Sequence, residues 1–174
     1  MLIEEEAEIP KPALRPIYRL WRSLCVDGAP PTRAEIRLDA LRSAAAHALF
    51  AVAERPYDGL PSIRFTNTGG GFVDAIGVSL TGKSVAKVLA DMGGSAAFTE
   101  CFGEYDRAIR EKRCFYNEGV FPALQKDWLA YQRLIMPLGR GPIADGLFVL
   151  CDFSAERFGV RVPESLIEAP PLKA

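Results

Sequence analysis

Gly77-Val78-Ser79-Leu80-Thr81-Gly82-Lys83-Ser84 satisfies the phosphate-loop pattern G-x-x-x-x-G-K-[ST]. Downstream, Phe148-Val149-Leu150-Cys151-Asp152 is an apolar run ending in an aspartate, the form of a magnesium-binding strand. If the two belong together, the chain is a nucleotide enzyme with a parallel sheet. If they do not, the same residues are turns in another fold. A phosphate loop needs a buried strand, then a glycine-rich turn, then a helix, with backbone N–H groups converging on the phosphates. Val85, Val88 and Leu89 recur at helical spacing after Ser84. The preceding strand is missing. Phe72, Val73 and Ile76 have the spacing of a helical turn and follow Gly69-Gly70-Gly71. Val78 and Leu80 are bulky where a backbone must approach a polyanion. The loop also sits near mid-chain, leaving only the second half for a parallel sheet. It reads as a turn, with Thr81 capping the next helix.

Outward from that turn, the chain alternates in a pattern of its own. Upstream, Ile63-Arg64-Phe65-Thr66-Asn67-Thr68 alternates and is β-branched, which predicts a strand. Downstream, Phe98, Cys101, Phe102, Tyr105 and Ile109 share one face of a predicted helix over 96–110. Arg113 to Asn117 predicts a strand, Glu118 to Lys126 a loop, and Trp128 to Met136 a strand stopped by Pro137. Leu147 to Phe153 is apolar on both faces and predicts a strand buried on both sides. Residues 38–54 are ambiguous. Leu41 to Ala48 favours helix, His47 to Glu54 suits a buried strand, and propensity alone runs one helix through both. Near the N-terminus, Pro16 suits a first helical position, and Ile17, Leu20, Trp21 and Leu24 form an amphipathic stripe. Helices amid strands predict an α+β fold with an antiparallel sheet. The central helices cover one face. The other needs the N-terminal helix or a second subunit, so Ile17, Leu20, Trp21 and Leu24 are candidate dimer contacts. Residues 1–15 read as a flexible segment, 16–153 as the domain and 154–174 as a proline-bearing tail.

Composition narrows function more than it identifies it. The chain has 174 residues, is 49% hydrophobic and 25% charged, and carries a net charge of −1 with a pI near 5.9. One domain with a real core follows. No basic stripe suggests nucleic acid, and no apolar run approaches a membrane span. An acidic start, Glu4-Glu5-Glu6, is unlike a secretory signal and predicts a cytoplasmic protein. Cys25, Cys101, Cys114 and Cys151 lack metal-ligand spacing and read as free thiols. His47, the sole histidine, lies in the apolar stretch Ala44 to Leu49 and suits a buried position better than a catalytic one. No G-x-S-x-G motif occurs. No catalytic or metal site is assigned.

Ile63-Arg64-Phe65 through Thr68-Gly69, then Ile76-Gly77, then Leu80-Thr81-Gly82-Lys83 resembles a family of stand-alone bacterial PAS proteins, frequent in alphaproteobacteria. Tyr131 through Leu134-Ile135-Met136-Pro137-Leu138 is similar to its penultimate strand, and Asp145-Gly146-Leu147 with the following run to its last. Tyr18-Leu20-Trp21 and Pro31-Thr32-Arg33 resemble its N-terminus, so the likeness covers about residues 16–153. Gly69-Gly70-Gly71 and Arg140-Gly141-Pro142 depart from the pattern. The resemblance implies a non-enzymatic sensory domain that binds a small molecule between sheet and helices, or that dimerises. It implies output through a protein signalling partner. Neither the haem histidine nor the flavin Asn-Cys-Arg-Phe stretch of such folds is present, so the cofactor is unknown. Strand alternation and the helix stripe nominate Phe65, Asn67, Phe98, Phe102, Tyr105, Tyr131 and Arg133 as pocket lining. A pure dimerisation module and a nucleotide enzyme using Gly77–Ser84 are the alternatives.

Overall fold

In the computed structural model, residues 1–91, 96–121 and 126–153 are described, and the side chains at 96–101, 121 and 126–128 fall outside that description. The tail at 154–174 also lies outside it. Six strands form one antiparallel sheet: β1 (Leu2–Ile3), β2 (Ala48–Ala53), β3 (Ile63–Thr68), β4 (Cys114–Phe121), β5 (Lys126–Leu138) and β6 (Gly146–Phe153). Their spatial order is β1-β4-β5-β6-β2-β3. Five α-helices accompany them among the described residues: α1 (Arg15–Ser23), α2 (Leu38–Leu41), α3 (Gly70–Ile76), α4 (Val85–Asp91) and α5 (Ala96–Glu111). The α+β expectation holds.

The sheet has two apolar faces because β6 does. Leu147, Val149, Cys151 and Phe153 point into an inner core under α3, α4 and α5. Phe148 and Leu150 point into an outer core under the N-terminal segment. Period-2 alternation makes both sets unavoidable once β6 is central. The chain supplies both covers itself. Ile9, Leu14, Ile17, Tyr18 and Trp21 are buried against the outer face, and the Trp21 indole N–H donates to the Pro137 carbonyl at 2.9 Å.

The first residues join the sheet: Leu2 and Ile3 pair with Phe115 and Cys114 at its edge, and Lys11 reaches Asp152 at 2.9 Å. The expected loop from Glu118 to Lys126 is largely sheet, since β4 continues to Phe121 and β5 begins at Lys126. The ambiguity of residues 38–54 resolves into a short helix, a 3₁₀ turn and the buried strand. α2 ends where Arg42 takes φ 47°, a 3₁₀ turn runs to His47, and β2 then pairs with both β3 and β6. Central placement in the sheet outweighs the helix propensity of alanine.

Candidate functional site

The phosphate-loop match resolves through its backbone donors. Helix α3 stands where the loop's strand should be, and Gly77 ends it in the left-handed region at φ 85°. The Leu80 N–H donates to Thr68 Oγ1 at 3.0 Å, Gly82 N–H to the Phe65 carbonyl at 2.8 Å, and Lys83 N–H to the Leu80 carbonyl at 2.9 Å. Phe65 N–H in turn donates to the Lys83 carbonyl at 3.0 Å. The segment therefore closes the open edge of β3 rather than cradling an anion. Ser84 Oγ accepts from the Lys87 N–H at 3.2 Å, so Ser84, not Thr81, caps α4. Lys83 Nζ sits 3.3 Å from Asp91. Asp152 is only 2% exposed and faces the outer core, paired with Lys11. The proposed Walker-type pair is not assembled.

The inner face of β5 is different in kind. Tyr131, Arg133 and Ile135 point inward, while Leu134 and Met136 point into the outer core. Arg133 is 5% exposed. Its Nη1 donates to the Tyr105 hydroxyl at 3.2 Å. Its guanidinium carbon lies 4.9 Å from the Tyr105 ring centroid, 5.3 Å from Tyr131 and 5.6 Å from Phe102, all within cation–π range. Phe102 and Tyr105 meet edge to face at 5.0 Å, and Phe65 meets Tyr105 the same way at 6.2 Å. The Tyr131 hydroxyl donates to Asn117 Oδ1 at 3.2 Å, and Asn117 is directly opposite Arg133 across the β4–β5 ladder. Next along β4, Gly119 faces Tyr131, where a Cβ would come within 3.0 Å of the phenol oxygen. A buried cation and two buried phenols thus meet a half-buried amide at the edge of an otherwise apolar core.

Five of the seven expected lining residues converge here: Phe65, Phe102, Tyr105, Tyr131 and Arg133. Phe98 is on α5, but its side chain lies outside the described residues. Asn67 is half-buried opposite Phe50, past a register shift at Phe50–Ala51, and takes no part in this network among the described residues. Gly119 was missed because 118–126 read as a loop, and Asn117, the last residue of the expected strand, was not weighed as lining. The alternation of Phe115, Asn117 and Gly119 was the available signal. The expected dimer stripe is placed elsewhere. Ile17 and Trp21 are buried in the chain's own outer core, and Leu20 and Leu24 pack half-buried against it. Ile17 and Trp21 are therefore not surface residues.

The remaining titratable groups are held by packing. His47 is 8% exposed, with its ring against Gly71 and 6.1 Å from the Phe153 ring. Burial holds its pKa below the ordinary 6.5, against the opposing pull of Asp152 and Asp74. Burial also pushes the Cys114 thiol well up, the opposite of a reactive cysteine. The side chain of Cys101 is outside the described residues, and Cys25, Cys114 and Cys151 are free thiols. No group of three or more potential metal ligands occurs among the described residues. A cleft of about 480 Å³ opens on the outer face, bounded by Thr32, Arg33, Val52, Thr66 and Asp145. Among the described residues, no helix is long and apolar enough to cross a membrane.

Comparison with protein-family models, curated proteins and solved structures finds no match to this chain.

Proposed function

We propose that this chain is a non-enzymatic PAS-type sensory or signalling domain of the cytoplasm that binds a small ligand between the sheet and α5. The buried cluster around Arg133 carries this reading. An arginine costs several kcal/mol to desolvate, roughly, unless something polar meets it. Arg133 is 5% exposed and lies among Phe102, Tyr105 and Tyr131, one polar group placed in an apolar interior, which is the make-up of small-molecule sites. The element order supports the fold side of the reading: strands β2 and β3, then α3, α4 and α5, then β4, β5 and β6. That is the order the family resemblance implies. The Leu80 and Gly82 N–H groups bond β3 and the Lys83 N–H bonds the Leu80 carbonyl, which speaks against the nucleotide-enzyme alternative. Ile17 and Trp21 lie inside the fold, so the pure dimerisation alternative is left with Leu20 and Leu24 of its four expected contacts.

Native mass spectrometry of the untagged protein, with and without magnesium and nucleotide, tests the reading. A small-molecule adduct without nucleotide uptake is the expected result. A bare protein leaves only a protein-interaction role. Magnesium-dependent nucleotide uptake that disappears in Lys83→Ala overturns the reading in favour of an enzyme.

A further inference from the structure

The turn after α5 brings Lys112 and Arg113 against the end of α1, where Arg22 stands, and a cleft of about 300 Å³ opens between them. Glu4, Gly28 and the buried Trp21 complete its lining. Three cations thus face one carboxylate, on a chain whose net charge is −1. That carboxylate is taken, since Glu4 pairs with Arg113. Arg22 meets the Cys25 thiol, and Lys112 Nζ donates to the Gly141 carbonyl at 3.0 Å. Neither has a carboxylate partner among the described residues. Most exposed cations elsewhere do, as Arg64 has Glu54 and Arg110 has Asp106. In the turn that carries Gly28, Val26 is 52% exposed, the most of any large apolar side chain among the described residues.

We propose that this cleft docks an acidic segment of a partner protein, its carboxylates on Arg22, Lys112 and Arg113 and an apolar side chain on Val26. The inference stands whether or not the inner face takes a ligand. Charge complementarity sets the sign of the partner. Arg22 and Arg113 are exposed and Lys112 is half-buried, so water screens each contact and a free carboxylate or phosphate ion is held weakly. A segment carrying several carboxylates makes the contacts together. A nucleic-acid backbone calls for a longer basic track than three side chains, and an anionic lipid surface for a larger polybasic cluster.

The test is fluorescence anisotropy of a short labelled peptide alternating glutamate and leucine, with the glutamine-for-glutamate peptide as control, titrated with the full chain. The acidic peptide should bind about tenfold tighter than the control, and the preference should shrink at high salt. Arg22→Glu should weaken it about tenfold and Lys112→Gln about threefold, while Lys87→Glu, on α4 across the sheet, stays within about twofold of wild type. If Arg22→Glu does not fold by circular dichroism, Lys112→Gln and the salt dependence still decide. Equal binding of the two peptides, or an affinity unchanged in both Arg22→Glu and Lys112→Gln, overturns the proposal. So does a wild-type chain that binds neither peptide. Tighter binding to phosphatidylserine vesicles or to polyuridylate than to the acidic peptide assigns the cleft to lipid or RNA and overturns the partner class.

Discussion

The two faces of β5 differ by one residue of register and by everything in chemistry. Leu134 and Met136 look outward into a core closed by Ile9, Leu14, Ile17 and Trp21, with Phe50 stacked on Phe148 at 5.0 Å and 10°. Tyr131 and Arg133 look inward at Tyr105, Phe102 and Asn117. The outer face is packed mainly with apolar side chains, and its buried Asp152 pairs with Lys11 at 2.9 Å. The inner face accepts a charge and three polar groups at its centre, where apolar residues would pack more simply. When one strand carries both patterns, the face that departs from simple packing is where function is to be sought.

The largest effect that would sharpen this contrast is expected from the outer face. Trp21→Ala removes a buried indole and its bond to Pro137, and should lose about 3–5 kcal/mol in urea unfolding. The oligomeric state should not change. Gly119→Ala on the inner face comes next. Its Cβ meets the Tyr131 hydroxyl at 3.0 Å, a moderate overpacking of about 1–3 kcal/mol in urea unfolding. Unchanged stability in Gly119→Ala would show that Tyr131 gives way without cost.

His47 sits between α3 and Phe153 and tests the packing by pH. Its folded pKa is depressed below 6.5, so the unfolded chain takes the proton first. Its stability contribution is complete above pH 6.5 and is lost as pH falls from there through the lowered folded value. His47→Gln should flatten the wild-type slope between pH 7 and 5. An equal slope in both proteins would place the ring in water. The smallest effect belongs to Lys83→Ala. Its pairing with Asp91 is a partly exposed ion pair worth less than about 1 kcal/mol, and its loss should leave ligand binding untouched.

Local pattern made much of this legible. The helical spacing of Phe72, Val73 and Ile76 placed α3 and disqualified the phosphate loop. The alternation of β5 put Tyr131 and Arg133 on one face, and the stripe on α5 put Phe102 and Tyr105 opposite. What stayed hidden depends on partners far along the chain. Leu2 and Ile3 become sheet only because Phe115 and Cys114 wait for them, and no local signal marks that. Ala48–Ala53 becomes strand because β6 and β3 flank it. Glu118-Gly119 carries turn residues, yet the ladder to β5 runs straight through them, which is why Gly119 went unassigned.

We propose that ligand enters the inner face of β5 and leaves the outer face alone. The most direct measurement is an amide chemical-shift map of the ¹⁵N-labelled full chain on addition of the small molecule that native mass spectrometry recovers. The account predicts that the shifts concentrate at residues 102–106, 117–119 and 131–133. Shifts gathered instead at Thr32, Arg33, Val52 and Thr66, around the outer cleft, would contradict it.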